Sequence, residues 1–337
     1  VGIIGMVLEL LSGTLESMWI YLLGAFIAGF CMCMLNTVVN PLLNVLGGGG
    51  NTGNQLIQIG GAFNSAAAVA VYIILGALIG EVTKDTAIVD AAPAMYIALG
   101  IFVAAFIVLF FTKIEEPKQE PVKAELIKGA LSHRHFALGA LAIFLYMSVE
   151  VGTPTYMIKY LISDVGISAG VASLIAAVYW FAMFIGRSIG GSIGGKVSSR
   201  AMVSTVAIAA IILLAFGMLA PSTLTVQVPG VDWANLSVIW VDVPVGVAAF
   251  ICVGLCTSVM WGGIFNMAVE GLGKYTAAAS GIFMTMVFGC AIMVALQAVV
   301  AEQTGSYLVS YIIPLACAAY ILFYALVGSR VKKTEAE

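Results

Sequence analysis

Residues 92–112 have the sequence APAMYIALGIFVAAFIVLFFT, which contains no charged side chain. A helix needs about 20 consecutive apolar residues to cross the hydrocarbon core of a bilayer, so this stretch predicts a transmembrane helix. The rest of the 337-residue chain has the same character, because 62% of its residues are apolar and only 9% are charged. A soluble globule cannot bury that much apolar surface. The composition therefore excludes a soluble domain and predicts an all-helical membrane protein with many spans.

Nine further apolar stretches, separated by charged or Gly/Pro-rich joints, bring the number of candidate helices to ten. The ten stretches are 1–11, 18–43, 55–80, 92–112, 134–161, 169–193, 201–220, 240–265, 275–299 and 307–329. The first is too short to span a bilayer, and the chain begins with Val1 in what resembles the middle of a helix. We therefore expect an N-terminal part to be missing.

The distribution of Lys and Arg predicts the orientation in the membrane. When the joints alternate between the two sides, twelve Lys and Arg residues fall on one side and only two, Lys84 and Lys159, on the other. Cytoplasmic loops carry the excess of positive charge, so the polar joint 113–133 and the C-terminus are predicted to be cytoplasmic. We accordingly divide the chain into an incomplete N-terminal transmembrane half (1–112), a cytoplasmic linker (113–133) and a six-helix C-terminal half (134–337).

Glu150 is the most informative polar residue within the predicted spans, since a carboxylate at the bilayer centre costs about 2.5–3.5 kcal/mol on insertion scales. Gly152 and Pro154 follow it and weaken the helix, which allows the backbone to line a cavity. A carboxylate in this setting either binds and releases a proton or is tied permanently to a cation. Lys159 is the only nearby cation along this span. We favour the first alternative, in which Glu150 is a proton-coupling residue.

Amide and aromatic side chains inside the spans suit a polar substrate. Six of them are candidate substrate-binding residues, namely Asn36, Asn40, Asn64, Tyr146, Trp261 and Asn266. Amides both donate and accept hydrogen bonds, and aromatic faces stack on C–H groups, a combination that fits a sugar. The alternative is that the amides only join helices to one another by hydrogen bonds.

Arg187 lies beside a ridge of small residues. Gly186, Gly190 and Gly194 recur at every fourth position and let another helix approach closely. We interpret Arg187 as a conformational latch at the cytoplasmic exit, and the alternative is a positive charge that merely anchors the helix on the cytoplasmic side.

Other classes of function find no support in the sequence. The six cysteines lie inside apolar runs without histidine or carboxylate neighbours, so we expect no metal and no cofactor. No nucleophile–base–acid set indicates an enzyme. The net charge of −3 gives no reason to expect nucleic acid as a partner.

Six motifs, in order along the chain, carry a resemblance to a known family. They are NTVVNP at 36–41, AFNS at 62–65, FLYMSVEV at 144–151, YWFAMFIGR at 179–187, SVMWGGIF at 258–265 and EGLGKYT at 270–276. On these motifs the chain resembles the fucose:proton symporter family of the major facilitator superfamily, and within it the glucose/galactose transporter branch.

The resemblance implies a major facilitator fold of two six-helix halves, of which this chain supplies about ten helices and lacks the first two. It also implies uptake of a hexose such as glucose, galactose or fucose by proton symport through alternating access. Family members usually have Glu or Gln where this chain has Asn36, and Gly61 replaces a Gln that contacts the sugar in the fucose symporter. Glu150, which matches a Glu of the family, is therefore expected to carry the proton.

Several alternatives to proton-coupled sugar uptake stay open at this point. They are a sodium-coupled or uncoupled sugar facilitator, a transporter of another small polar solute, an exporter of apolar compounds and a sugar sensor that does not transport. We expect a monomer in the bacterial cytoplasmic (inner) membrane, with a sugar, a proton or a sodium ion, and the lipid bilayer as its partners.

Overall fold

The computed structural model describes residues 1–48, 50–79, 87–113, 124–232 and 237–331. The helices are α1 (Gly2–Leu15), α2 (Met18–Leu46), α3 (Gly50–Ile79), α4 (Ala92–Phe111), α5 (Ala124–Ser132), α6 (Arg134–Met147), α7 (Thr153–Ser163), α8 (Ala169–Ile193), α9 (Ser199–Leu219), α10 (Val245–Val269), α11 (Thr276–Thr285), α12 (Gly289–Thr304), α13 (Tyr307–Ser310) and α14 (Ile312–Phe323). Two strands, β1 (Thr225–Asp232) and β2 (Ser237–Pro244), form a hairpin before α10. Short 3-10 turns lie at Ile88–Ala91, Gly273–Tyr275 and Met286–Phe288, and π-helical turns at Ser148–Gly152 and Tyr324–Gly328.

The described residues contain eight helical segments that are long and apolar enough to cross a membrane. The two other predicted stretches are also helical, as α1 with 14 residues and α3 with 30. The prediction of a mostly helical, multi-pass membrane protein is thereby confirmed. Part of the predicted linker (114–123) and Lys84 lie outside the described residues, whereas the end of that linker forms α5.

Contacts divide the chain into two compact units, the first of which comprises Val1–Val39 and Val71–Pro121. Within it, α1 and the first part of α2 touch through glycines. A Cβ atom added at Gly5 would lie 2.8 Å from the backbone nitrogen of Ala28, and one at Gly24 would lie 2.8 Å from that of Glu9. Small residues at such crossings let two backbones approach closely in a membrane.

The second unit comprises Asn40–Ala70 and Val122–Glu337, and most of the buried residues belong to it. Its central helix is α10, which packs against both α8 and α9. The glycine ridge of α8 forms part of this packing, because added Cβ atoms at Gly186 and Gly190 would meet Ser258 and Val259 of α10. The close approach predicted from the glycine spacing is therefore present, between α8 and α10.

The hairpin corrects one predicted boundary. The stretch 240–265 is predicted as a helix, but its first residues belong to β2, which pairs antiparallel with β1 from Thr225 opposite Pro244 to Asp232 opposite Ser237. Helix α10 starts only after Pro244 and continues to Val269. Hydropathy cannot distinguish an apolar strand such as 238–243 from the first turns of an apolar helix, which explains the error.

Candidate functional site

The site is built around a break in the helix that carries Glu150. Helix α6 ends at Met147, the π-helical turn Ser148–Gly152 follows, and α7 starts with Pro154 in its first turn. Proline has no backbone N–H, so it cannot bond the carbonyl of the residue four positions earlier, which is Glu150. The Tyr179 hydroxyl donates to that carbonyl instead, at 3.0 Å. The break predicted from Gly152 and Pro154 thus exposes backbone oxygen to a buried tyrosine of α8.

The Glu150 carboxylate forms an ion pair with Arg187 of α8. The Nη2 atom of Arg187 donates to Oε1 of Glu150 at 3.2 Å, and the two side chains are only 9% and 11% exposed for Arg187 and Glu150 respectively. Because neither charge is solvated by bulk water, the stability of each buried charge depends strongly on its partner and on the hydrogen bonds around it.

Arg187 has further acceptors on two other helices. Its Nη1 atom donates to the Gly61 carbonyl and to the Ser65 hydroxyl of α3, both at 2.9 Å, and its Nε atom donates to the Ser258 carbonyl of α10 at 3.4 Å. A Cβ atom at Gly61 would lie 3.1 Å from Cδ of Arg187, so a glycine here leaves room for the guanidinium stem. One buried cation therefore links α8 to the carboxylate, to α3 and to α10.

Two buried tyrosines complete the surroundings of the pair. The Tyr146 hydroxyl donates to the Thr257 carbonyl at 3.2 Å. The Tyr179 hydroxyl lies 3.2 Å from the Thr257 hydroxyl. Tyr146, Tyr179 and Thr257 are fully buried. Packing therefore restricts the rotamers of these side chains.

The cation beside Glu150 comes from another helix and not from its own span. Lys159, the only candidate along the same span, lies over the ring of Tyr156, with its Nζ atom 4.7 Å from the ring centroid. The partner is Arg187, which the sequence analysis had grouped with the cytoplasmic charges. A cation at a distant sequence position on α8 becomes the neighbour only through tertiary packing, which a single span does not reveal. The role of Arg187 as a latch stays a prediction.

The predicted substrate-binding residues occupy several environments. Asn36 is exposed and Asn40 half-buried on α2, and Asn64 is exposed on α3 beside the buried Ser65. Trp261 is half-buried on α10, where it stacks on Phe265 with ring centroids 5.7 Å apart. Sugar binding by these residues stays a prediction.

Asn266 lies near the end of α10 and its amide is engaged on both sides. Its Nδ2 atom donates to the Ser199 hydroxyl at 2.9 Å, and its Oδ1 atom accepts from Asn44 at 3.4 Å. These bonds match the alternative in which amides join helices, and they connect the ends of α2, α9 and α10.

Three polar groups at the pair were not predicted as site groups from the sequence, namely the Thr257 hydroxyl and the carbonyls of Ser258 and Gly61. Hydroxyl residues within apolar helices are a weak signal, because most of them simply bond the carbonyl three or four residues earlier. An arginine inside an apolar stretch was a stronger signal, since such a residue needs a partner in the bundle.

A multi-pass helical bundle with a buried carboxylate–guanidinium pair at a helix break is typical of membrane transporters. The sequence profile of the Major Facilitator Superfamily matches residues 1–296. The chain therefore belongs to the Major Facilitator Superfamily, and it is a transporter rather than an enzyme.

Three relatives illustrate this membership. A glucose/galactose transporter of Brucella abortus biovar 1 (strain 9-941) is 27% identical over 98% of this chain and 76% of its own length. A putative glucose/galactose transporter of Helicobacter pylori (strain J99 / ATCC 700824) is 28% identical over 91% of this chain and 74% of its own. The L-fucose-proton symporter of Escherichia coli (strain K12) is 20% identical over 91% of this chain and 71% of its own.

Solved structures agree on the fold. The crystal structure of the major facilitator transporter FucP in the outward conformation superposes with a TM-score of 0.78 at 20% identity, covering 98% of this chain and 81% of that chain. A second crystal structure of the E. coli fucose:proton symporter FucP gives a TM-score of 0.79 at 19% identity, covering 98% and 82%. The predicted family and fold are therefore confirmed.

Proposed function

We propose that this chain takes up a hexose together with protons by alternating access, and that Glu150 carries the proton. Relatives named glucose/galactose transporter and L-fucose-proton symporter, aligned over at least 91% of the chain, support the substrate class and the coupling ion. We further propose that it works as a monomer in the bacterial cytoplasmic membrane. In this proposal 113–133 is the cytoplasmic linker between an N-terminal transmembrane part (1–112) and a six-helix C-terminal half (134–337).

The observation that carries the coupling role is the set of oxygen acceptors around Arg187. Besides the Glu150 carboxylate, the guanidinium has the Gly61 carbonyl, the Ser65 hydroxyl and the Ser258 carbonyl within 3.4 Å. A proton on the carboxylate therefore removes the ion pair without leaving the cation bare in a dry interior, a state that is strongly destabilising. Glu150 can accordingly alternate between a paired and a protonated form.

This alternation provides a route from proton binding to helix movement. Arg187 joins the π-helical turn to α8, and it also holds α3 and α10. Protonation of Glu150 loosens the first link and leaves the other two in place. A permanent ion pair, which is the alternative, would keep Glu150 charged throughout the cycle and would serve only to hold the helices together.

We keep Asn36, Asn40, Asn64 and Trp261 as proposed sugar-binding residues. The amides supply hydrogen bonds to hydroxyl groups, and the indole ring supplies an apolar face for C–H groups. Tyr146 is fully buried and precedes Glu150 by four residues, so we propose a positioning role for it beside that carboxylate.

The test is external pH in lightly buffered cells that express the transporter, with glucose, galactose and fucose added one at a time. Proton symport predicts alkalinisation of the medium on addition of the transported sugar. Glu150→Gln is expected to abolish this alkalinisation while downhill exchange of labelled sugar continues. Glu9→Gln, which changes the carboxylate of α1, is the matched control and is expected to alkalinise as the wild type does.

Two results would contradict the proposal. Sugar-dependent alkalinisation that persists in Glu150→Gln would show that Glu150 does not carry the proton. Uptake that follows a sodium gradient and leaves the external pH unchanged would replace proton coupling by the sodium alternative.

A further inference from the structure

A polar cavity of about 490 Å³ lies away from the Glu150–Arg187 pair, and neither residue of the pair lines it. It is formed where the end of α10 meets the starts of α9 and α11, together with Asn44 near the end of α2 and Asn51 near the start of α3. The distribution of Lys and Arg predicts that this end of the bundle is cytoplasmic. Its volume falls within the range of about 300–1,000 Å³ that is usual for small-molecule sites.

The lining of this cavity has the chemistry of a site for a neutral polyhydroxy compound. Amides come from Asn44, Asn51 and Asn266, and hydroxyl groups come from Ser199 and Thr276. These groups both donate and accept hydrogen bonds, as the hydroxyls of a sugar do.

The charges in the lining are balanced. Arg200 and Glu270 both face the cavity, so it offers one cation and one anion. Two of the guanidinium nitrogens of Arg200 already donate to Ser329, at 3.3 and 3.4 Å. A site for a phosphorylated or otherwise anionic solute would need an excess of positive charge, and a neutral solute fits this lining better.

One hydrogen bond across the cavity wall can be exchanged for a bond to a solute. Asn44 donates to Asn266 at 3.4 Å, which is long for a hydrogen bond, while Asn266 donates to Ser199 at 2.9 Å. A hydroxyl group of a sugar that enters the cavity can replace the long bond without loss of hydrogen bonding. The cavity is thus suited to a sugar that passes between the ends of α2 and α10.

We propose that this cavity is a second sugar site, which the substrate occupies on the cytoplasmic side before release. The inference rests on the proposed function, because it takes the transported hexose as the ligand. The second site and the central site have different residues. Changes in the second site are therefore expected to alter the half-saturating sugar concentration from the cytoplasmic face only.

The test compares the half-saturating sugar concentration measured from each face, with right-side-out and inside-out vesicles and the hexose identified by the pH assay. Asn51→Leu and Thr276→Val each remove polar groups from the cavity. Both variants are expected to raise the half-saturating concentration from the cytoplasmic face at least fivefold and to change the value from the outer face less than twofold. Thr304→Val, at the C-terminal end of α12 and outside the lining of the cavity, is the matched control and is expected to leave both values unchanged.

The outcomes separate this inference from the proposed function. Suppose that the wild type transports the sugar, but each variant changes the half-saturating concentration equally from both faces or not at all. That result overturns the second site and leaves the proposed function standing. Competition from the cytoplasmic face by a hexose phosphate that is stronger than competition by the free hexose also overturns it. Absence of hexose flux in the wild type overturns both proposals.

Discussion

Replacing Arg187 by Gln is expected to destabilise the protein by about 3–5 kcal/mol, because it leaves the Glu150 carboxylate buried without its cation. Glu150→Gln is expected to cost less, about 1–3 kcal/mol, since the guanidinium keeps three other oxygen acceptors. The double variant removes both charges. Its cost is therefore expected to fall below the sum of the single costs by about 0.5–3 kcal/mol, the usual coupling between residues in contact.

The assay is unfolding of the purified protein in detergent micelles by increasing SDS, followed by tryptophan fluorescence. The free energy of unfolding is measured for the wild type, the two single variants and the double variant. A second cycle uses Lys159→Gln with Glu150→Gln as the matched control, because Lys159 lies over the Tyr156 ring rather than on the carboxylate. The control costs are expected to add within about 0.3–0.5 kcal/mol.

If the losses in unfolding free energy for Glu150→Gln and Arg187→Gln add in the double variant, the two side chains are not coupled and the ion pair is refuted. Coupling between Glu150 and Lys159 of more than about 0.5 kcal/mol would also contradict the assignment of Arg187 as the partner, since independent sites add within that margin. That second result would favour an ion pair between Glu150 and Lys159, two residues of the same predicted span.

Two further predictions concern the packing that holds the site. Gly254→Ala is expected to cost about 1–3 kcal/mol, because the new Cβ atom would overlap the carbonyl oxygen of Tyr179 and push α8 away from α10. Tyr311→Phe is expected to cost about 1–3 kcal/mol, since it removes the 2.8 Å bond to the buried Thr153 carbonyl in the first turn of α7. SDS unfolding measures the first, and the same titration, with far-UV circular dichroism added, measures the second.

Each of these predictions has a control of the same chemistry. Gly281→Ala adds a Cβ atom with nothing within 4 Å and is expected to leave stability unchanged or slightly increased. Tyr96→Phe removes a hydroxyl from a side chain that is 62% exposed and is expected to be neutral. Losses in the controls as large as those in the test variants would contradict the packing argument.

Much of the fold follows from the sequence, because run length and apolarity are sufficient to predict membrane helices. The helix bounds of Ala169–Ile193 agree with the apolar stretch 169–193. The hairpin before α10 does not follow, since its strands are apolar enough to extend the next predicted helix. Only the antiparallel pairing of β1 with β2 distinguishes these strands from the start of α10, and that pairing is a contact between residues on different strands.

The position of the candidate site at Glu150 could be predicted from the sequence, but the residues that contact Glu150 could not. Glu150 stands out because a carboxylate in hydrocarbon needs an explanation, and Pro154 indicates the break in the helix. The pairing with Arg187 depends on how α8 packs against the break. The count of positive charges by side treated Arg187 as one more cytoplasmic charge, because such a count takes no account of burial.

Gly61 connects the departure from the family pattern with the geometry of the pair. On the family resemblance this glycine takes the place of a Gln that is expected to contact the sugar, and its carbonyl accepts from Arg187 at 2.9 Å. A Cβ atom at this position would lie 3.1 Å from Cδ of Arg187, tighter than ordinary van der Waals contact, so a longer side chain would force the guanidinium stem to shift. The absence of a side chain at position 61 therefore allows Arg187 to lie close to α3. The guanidinium thereby bonds the backbone of α3 while it pairs with the Glu150 carboxylate.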